Sequence, residues 1–126
     1  MTLAQLFSPK KTGDDAERIA ERFLTKRGLE LVTRNYRCRY GEIDLIMRQA
    51  ETLVFVEVKL RKTISGKVDF GGALASITAS KQAKIITTAQ HYLGGLRHPP
   101  ACRFDAVVLN GLNLKDVEWL ANAFEA

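Results

Sequence analysis

Two acidic residues stand inside apolar runs of this sequence, where a charge is costly to bury. Glu57 follows the run LVFV at 53–56, and Asp44 lies between Ile43 and Leu45. A buried carboxylate is unfavourable unless it is paired, hydrogen-bonded or bound to a metal ion. These two positions are therefore the first candidates for chemistry.

The segment QAET at 49–52 is short and polar, which predicts a turn joining an antiparallel hairpin. If the turn centres on its middle two residues, Asp44 lies opposite Glu57, and Glu42 lies opposite Lys59. Directly opposite residues place their Cβ atoms about 4.5–5.5 Å apart. Two carboxylates at that distance repel each other unless a cation lies between them. Since hard oxygen ligands suit Mg²⁺, the pair predicts a divalent-metal site.

The alternative is an ordinary surface hairpin in which Glu42 and Lys59 form a salt bridge. In that case Asp44 and Glu57 would still face each other, and their repulsion would be uncompensated. Lys59 stands two residues after Glu57, so both side chains point to the same face of the sheet. A shift of the turn by one residue would break the pairing.

Periodicity and turn residues predict a single mixed α/β domain with a central sheet. Residues 1–12 are predicted to be a flexible arm, and residues 13–126 the domain. The predicted elements are a helix at 14–27, ended by Gly28, strands at 29–36, 42–48 and 53–60, a loop at 61–72, a helix at 78–93, a strand at 102–109, and a tail at 116–125 in which a short strand runs into a helical turn.

Glu17 lies on the first predicted helix, beside its apolar stripe. It would reach the sheet face if the helix packs there. From the residues alone, the favoured interpretation is an ordinary exposed helical glutamate that pairs with a neighbouring cation such as Arg18.

Positive charge is concentrated in one part of the chain. The whole sequence carries a net charge of +5, and residues 59–84 contain six basic residues and one acid. Clustered cations attract polyanions, because binding releases counterions from phosphates. The pattern predicts a nucleic-acid partner. A solvated basic surface, or one that docks an acidic protein, is the alternative.

Composition excludes several classes of protein. The two cysteines are too few for a disulfide framework or a four-cysteine zinc site. No apolar run approaches the roughly 18 residues that span a membrane, and the N-terminus is a poor secretory signal. We expect a reduced, cytoplasmic protein that does not bind membranes.

Four motifs together resemble a known family. They are G-x-x-x-E-x-x-A at 13–20, N-x-R at 35–37, GEIDLI at 41–46 and FVEVK-x-R at 55–61. This pattern resembles the YraN-like family of uncharacterised bacterial proteins. That family is similar to the archaeal Holliday-junction resolvases and to the PD-(D/E)XK nuclease superfamily. The resemblance implies a restriction-endonuclease-like αβββαβ fold with a central mixed sheet.

The resemblance also implies roles for individual residues. Asp44 and Glu57 match the superfamily's two metal-binding acids, Lys59 its catalytic lysine, and Glu17 the first-helix glutamate of resolvase-like members. The backbone carbonyl of Val58 is a further implied ligand for Mg²⁺ or Mn²⁺. Ile43 stands where the superfamily's name-giving proline would be.

The function that follows is a metal-dependent endonuclease that hydrolyses phosphodiester bonds, with DNA, including branched or structured DNA, as the expected substrate. A non-catalytic nucleic-acid-binding module on the same fold is the alternative. Resolvases act as dimers, so a homodimer is one possible assembly. The residues expected to hold the nucleic-acid backbone are Arg37, Arg61, Lys62, Lys67, Lys81 and Lys84.

Overall fold

The computed structural model describes residues 9–61, 75, 77–112 and 116–126, with the backbone alone for 9–12. The elements in chain order are α1 (Pro9–Thr25), β1 (Glu30–Cys38), β2 (Gly41–Gln49), β3 (Thr52–Leu60), α2 (Ala79–Gly94), β4 (Cys102–Leu109) and β5 (Val117–Phe124). The predicted α/β class and the order αβββαβ are confirmed, with a full fifth strand at the end.

The five strands form one mixed sheet in the order β1-β2-β3-β4-β5. The first three strands form two antiparallel hairpins. β4 lies parallel to β3, and α2 belongs to the connection between them, as parallel neighbours require a long crossover. β5 then returns antiparallel to β4. The predicted hairpin register is confirmed from the pair Gln49 and Thr52 to the pair Leu45 and Val56. The ladder ends there, so the predicted pairs of Asp44 with Glu57 and of Glu42 with Lys59 are not part of it.

One helix covers each face of the sheet. The apolar side chains of α1 pack with one alternate set of strand residues, and those of α2 pack with the other. This two-sided burial explains why β2 and β3 contain nearly continuous apolar runs rather than a strict alternation. The α1 face includes Ala20, Leu24, Leu45, Val56 and Val107, and the α2 face includes Ile43, Phe55, Ile85, Ala89 and Phe104.

The end of α1 follows the predicted cap. The Leu29 N–H donates to the Leu24 carbonyl at 3.1 Å, and the Gly28 N–H donates to the Thr25 carbonyl at 3.1 Å. This is a Schellman motif, which places Gly28 in the left-handed region at φ 95°. Leu24 and Leu29 are both buried in the α1 face of the core. The motif therefore fixes how the chain leaves α1 and enters β1.

The start of α1 differs from the prediction. The helix begins at Pro9, so residues 9–12 of the predicted arm are helical, and residues 1–8 lie outside the described residues. Proline is favoured in the first turn of a helix, where its missing N–H has no intrahelical partner to lose. Asp14 and Asp15 therefore lie in the second turn rather than at the beginning of the helix.

The tail also differs, because residues 117–124 form one strand and no helical turn. A buried carboxylate anchors this strand to its neighbour. Asp105 on β4 is fully buried, and it accepts hydrogen bonds from the Trp119 side chain at 2.9 Å and from the Asn122 backbone N–H at 2.8 Å. Arg103 completes the network with two further hydrogen bonds to Asp105 and one to Gln49.

Most of the predicted loop at 61–72 lies outside the described residues, including Lys62 and Lys67. Neither helix of the described chain is long and apolar enough to span a membrane.

Candidate functional site

The candidate site lies where β2 and β3 separate. Their hydrogen-bonded ladder ends at the pair Leu45 and Val56. Beyond that pair, the Asp44 carboxylate accepts a hydrogen bond from the Val58 backbone N–H, with 2.8 Å between Oδ2 and N. The Asp44 side chain, rather than a backbone carbonyl of β2, thus accepts the hydrogen bond from the Val58 N–H. This hydrogen bond holds the Asp44 carboxylate between the two strands.

Three carboxylates converge on this opening. Glu17 from α1, and Glu42 and Asp44 from β2, each offer an oxygen atom, and these oxygens all lie within 4.8 Å of one another. Glu17 reaches the cluster because α1 packs against the sheet. This is the packing under which Glu17 was predicted to reach the sheet face. All three residues are half-buried.

Glu42 does not have the partner that the hairpin alternative assigned to it. The ladder between β2 and β3 ends before Glu42, and on the other side of β2 Glu42 lies opposite Arg37 of β1. The Arg37 Nε and the Glu42 Oε1 are 3.4 Å apart. Glu42 is therefore a member of the carboxylate cluster rather than the partner of Lys59.

Asn35 joins two of the carboxylates, and the sequence analysis did not single it out. With its amide nitrogen facing the cluster, it donates to Glu17 Oε2 at 2.9 Å and to Glu42 Oε1 at 3.1 Å. Its backbone lies in the left-handed region at φ 51°, which is uncommon outside glycine and enriched in asparagine. In the sequence, Asn35 was marked only by the N-x-R motif, which entered as part of the family resemblance and gave the residue no role.

Glu57 lies on the other side of Asp44, and the residue is 8% exposed. Burial raises the pKa of Glu57 to about 8, and the charge of Asp44 and a hydrogen bond to it contribute. The charges of Lys81 and Lys59 act in the opposite direction on this pKa. The Lys81 Nζ is 3.7 Å from the Glu57 Oε1. Lys59 itself is exposed.

Asp44 is the shared neighbour of both flanking carboxyls. Burial raises the pKa of Glu17 to about 7, with further contributions from the charge of Asp44 and a hydrogen bond to it. Burial also raises the pKa of Asp44, while the hydrogen bonds from Val58 and Glu17 act against that rise. Near neutral pH, protons shared among these carboxyls thus offset part of their mutual repulsion.

The donor set suits a hard divalent cation. Carboxylate oxygens are the ligands that Mg²⁺ and Mn²⁺ prefer. Burial, together with the charges of neighbouring carboxylates, raises the pKa of Glu17, Asp44 and Glu57, and a bound cation would favour their ionised forms. Glu17, Glu42, Asp44 and Glu57 are the residues that could hold such an ion. The Val58 N–H donates a hydrogen bond to Asp44. The predicted role of the Val58 carbonyl as a metal ligand stays a prediction.

Four of the residues predicted to bind the nucleic-acid backbone are among the described residues: Arg37, Arg61, Lys81 and Lys84. Arg37 and Lys81 each face a site carboxylate. Lys84 is exposed one helical turn beyond Lys81. Arg61 follows β3, where its backbone N–H donates to the Leu109 carbonyl at 2.7 Å. Contact of these residues with nucleic acid stays a prediction.

The raised pKa values predict how the metal-free protein responds to pH. Between about pH 4.5 and pH 8 the native state binds more protons at Glu17 and Glu57 than the unfolded state does. Stability therefore falls as pH rises through this window. In EDTA, we expect the melting temperature to decrease from pH 5.5 to pH 8.5.

The variant Glu57→Gln should flatten this pH dependence, because the glutamine cannot titrate. Glu51→Gln, on the exposed turn between β2 and β3, is the matched control and should keep the wild-type slope. Thermal melts of the three proteins across the same buffers measure the effect. A Glu57→Gln slope equal to that of the control would contradict the protonation of Glu57.

The fold and the cluster define the class of protein: a single mixed α/β domain, consistent with the restriction-endonuclease-like fold, with an acidic cluster where two central strands separate. The model of the Uncharacterised protein family UPF0102 matches residues 16–109. The chain belongs to this family.

Its relatives match over nearly their whole length. A UPF0102 protein of Nitrosospira multiformis is 58% identical over 113 residues, which cover 90% of this chain and 92% of the relative. One from Methylobacillus flagellatus is 52% identical over 118 residues, covering 93% and 99% of the two chains. One from Aeromonas hydrophila is 51% identical over 122 residues, covering 93% and 86%.

Proposed function

We propose that this protein is a divalent-metal-dependent endonuclease that hydrolyses phosphodiester bonds of DNA, including branched or structured DNA. The observation that carries the proposal is the convergence of Glu17, Glu42 and Asp44, whose oxygens lie within 4.8 Å of one another. Glu57 adjoins this cluster through Asp44, and Lys59 follows Glu57 on the same strand. An acidic cluster for a cation, combined with a lysine whose charge acts on the adjoining Glu57, fits phosphodiester hydrolysis.

Each residue has a distinct task in such a reaction. Asp44 and Glu57 would hold Mg²⁺ or Mn²⁺, and Glu17 and Glu42 would complete the negative site. The bound ion would offset the charge of the scissile phosphate and lower the pKa of a bound water. Lys59 would orient the attacking water and stabilise the charge that develops on the phosphate. Asn35 would keep the Glu17 and Glu42 carboxylates in place through its two hydrogen bonds.

The experiment is cleavage of a panel of DNAs, comprising a four-way junction, a nicked duplex, an intact duplex and a single strand. Each is incubated with Mg²⁺, Mn²⁺ or EDTA, and Asp44→Asn is the matched inactive control. The proposal expects cleavage with a metal ion by the wild type and none by the variant. Binding without metal-dependent cleavage of any member would favour the non-catalytic binding module instead.

The basic residues also predict a steep dependence of DNA affinity on salt. The log–log slope should be roughly −0.9 per phosphate neutralised, because binding releases condensed counterions. Changing Lys62 and Lys67 to Ala should make the slope shallower. Fluorescence anisotropy across a salt series measures it, and an affinity independent of salt would contradict a polyanion partner.

A further inference from the structure

We propose that a cleft between α1 and the edge strand β1 is a second contact site for the phosphodiester backbone of duplex DNA, beside the carboxylate cluster. The cleft has a volume of about 310 Å³ and is lined by Arg18, Glu21, Arg22, Thr25, Lys26 and Arg34. Four cations and one carboxylate therefore surround it. The inference rests on the proposed function, because it assigns part of the same substrate to this surface.

Three cations form a row along α1 and the residue that follows it. Arg18 and Arg22 are four residues apart on α1, and Lys26 comes four residues later, directly after the last residue of the helix. Like charges at this spacing repel one another. All three side chains are exposed. An anion bound along this row would offset the repulsion.

The one carboxylate of the cleft is already engaged. Glu21 makes two hydrogen bonds to Arg34, at 2.6 Å from Nε and 2.9 Å from a terminal nitrogen. This paired geometry fixes the Arg34 guanidinium at the wall of the cleft. Among the lining residues, the charges of Arg18, Arg22 and Lys26 face no second carboxylate.

Position and size favour a nucleic-acid backbone over a small anion. Arg18 directly follows Glu17 of the candidate site, and Arg34 directly precedes Asn35. The row from Arg18 to Lys26 extends about 12 Å at the helical rise, which is longer than a single small anion. α1 and β1 carry both this cleft and two side chains of the candidate site, so a duplex that covers these elements would contact both surfaces.

The test compares two charge-matched double variants. Arg18→Gln/Arg22→Gln removes two charges from the cleft. Arg48→Gln/Arg97→Gln removes two exposed charges elsewhere: Arg48 is near the turn between β2 and β3, and Arg97 lies in the connection before β4. Both proteins have the same net charge, so a difference between them reports position. Affinity for a 30-base-pair duplex is measured by anisotropy in EDTA across a salt series.

We expect the cleft variant to lose about tenfold in affinity near 0.1 M salt, and its log–log slope to become shallower by between 1 and 2, at about 0.9 per lost phosphate contact. The control should change by less than half of that. Equal losses in both variants, or no binding by the wild type, would overturn the inference.

Two further measurements separate the alternatives. Polyglutamate of similar charge serves as a probe for an acidic protein partner, and an equal loss of polyglutamate and DNA binding in the cleft variant would overturn the assignment to phosphodiesters. Metal-dependent cleavage is measured on the same preparations. Cleavage by the wild type together with equal binding by the two variants would overturn this inference while leaving the proposed function in place.

Discussion

Replacing Lys59 by Ala is expected to slow DNA cleavage by about 10²–10³-fold, the usual loss when one preorganised electrostatic stabiliser is removed. Lys59 is exposed, and its charge acts on the buried carboxyl of Glu57. Metal affinity should remain nearly unchanged, because an ammonium group is not a metal ligand. The loss should therefore appear in the maximal cleavage rate at saturating metal.

The opposing account treats Lys59 as a surface cation. In that case the substitution would cost about 1 kcal/mol of stability or less, and the cleavage rate would stay at the wild-type value. Arg97→Ala is the control, because it removes an exposed charge outside the site. Melting temperature, metal affinity and cleavage rate are measured on one preparation of each protein. Wild-type cleavage by Lys59→Ala would refute its catalytic role.

Asp105→Asn is expected to destabilise the fold by about 3–5 kcal/mol, as is typical when one partner of a buried ion pair is removed. Asp105 is fully buried, and both of its oxygens accept hydrogen bonds. An asparagine would turn an amide group toward donors from Arg103 and either Trp119 or the backbone of Asn122. The melting temperature should fall by roughly 10 °C or more.

Glu30→Gln is the matched comparison, because Glu30 forms an exposed ion pair with Arg48 at 2.8 Å. Its loss should cost about 1 kcal/mol or less. Below their melting temperatures both variants should bind Mn²⁺ like the wild type, since Asp105 supports β5 rather than the carboxylate cluster. Similar melting temperatures for the two variants would show that the buried network does not stabilise the sheet.

Local sequence patterns predicted much of the sheet. The polar turn at 49–52 fixed the register of β2 and β3, because one turn position determines every pair in a tight hairpin. The strand predicted at 102–109 is the observed β4, Cys102–Leu109. Gly28 predicted the end of α1, since the cap requires a left-handed backbone.

The parts that were missed depend on contacts between distant segments. Glu42 was assigned to Lys59 by extending the hairpin ladder, but the ladder between β2 and β3 ends before that pair, and Glu42 contacts Arg37 of β1. The hydrogen bond from Asn35 to Glu17 depends on the packing of α1 against the sheet, which the sequence did not show. Asp105 stands in an apolar run like that of Asp44, and its partners Trp119 and Asn122 become visible only once β5 is placed.

The most direct test of the metal site is a calorimetric titration of Mn²⁺ into the wild type, Asp44→Asn and Glu57→Gln at pH 7.5. Circular dichroism confirms that each variant is folded, and Glu51→Gln serves as the control for the loss of one exposed charge. The wild type and the control should bind the ion and release protons from Glu17 and Glu57, since their pKa values are raised to about 7 and about 8. Both site variants should lose this binding. Unchanged Mn²⁺ affinity in both folded variants would contradict the site.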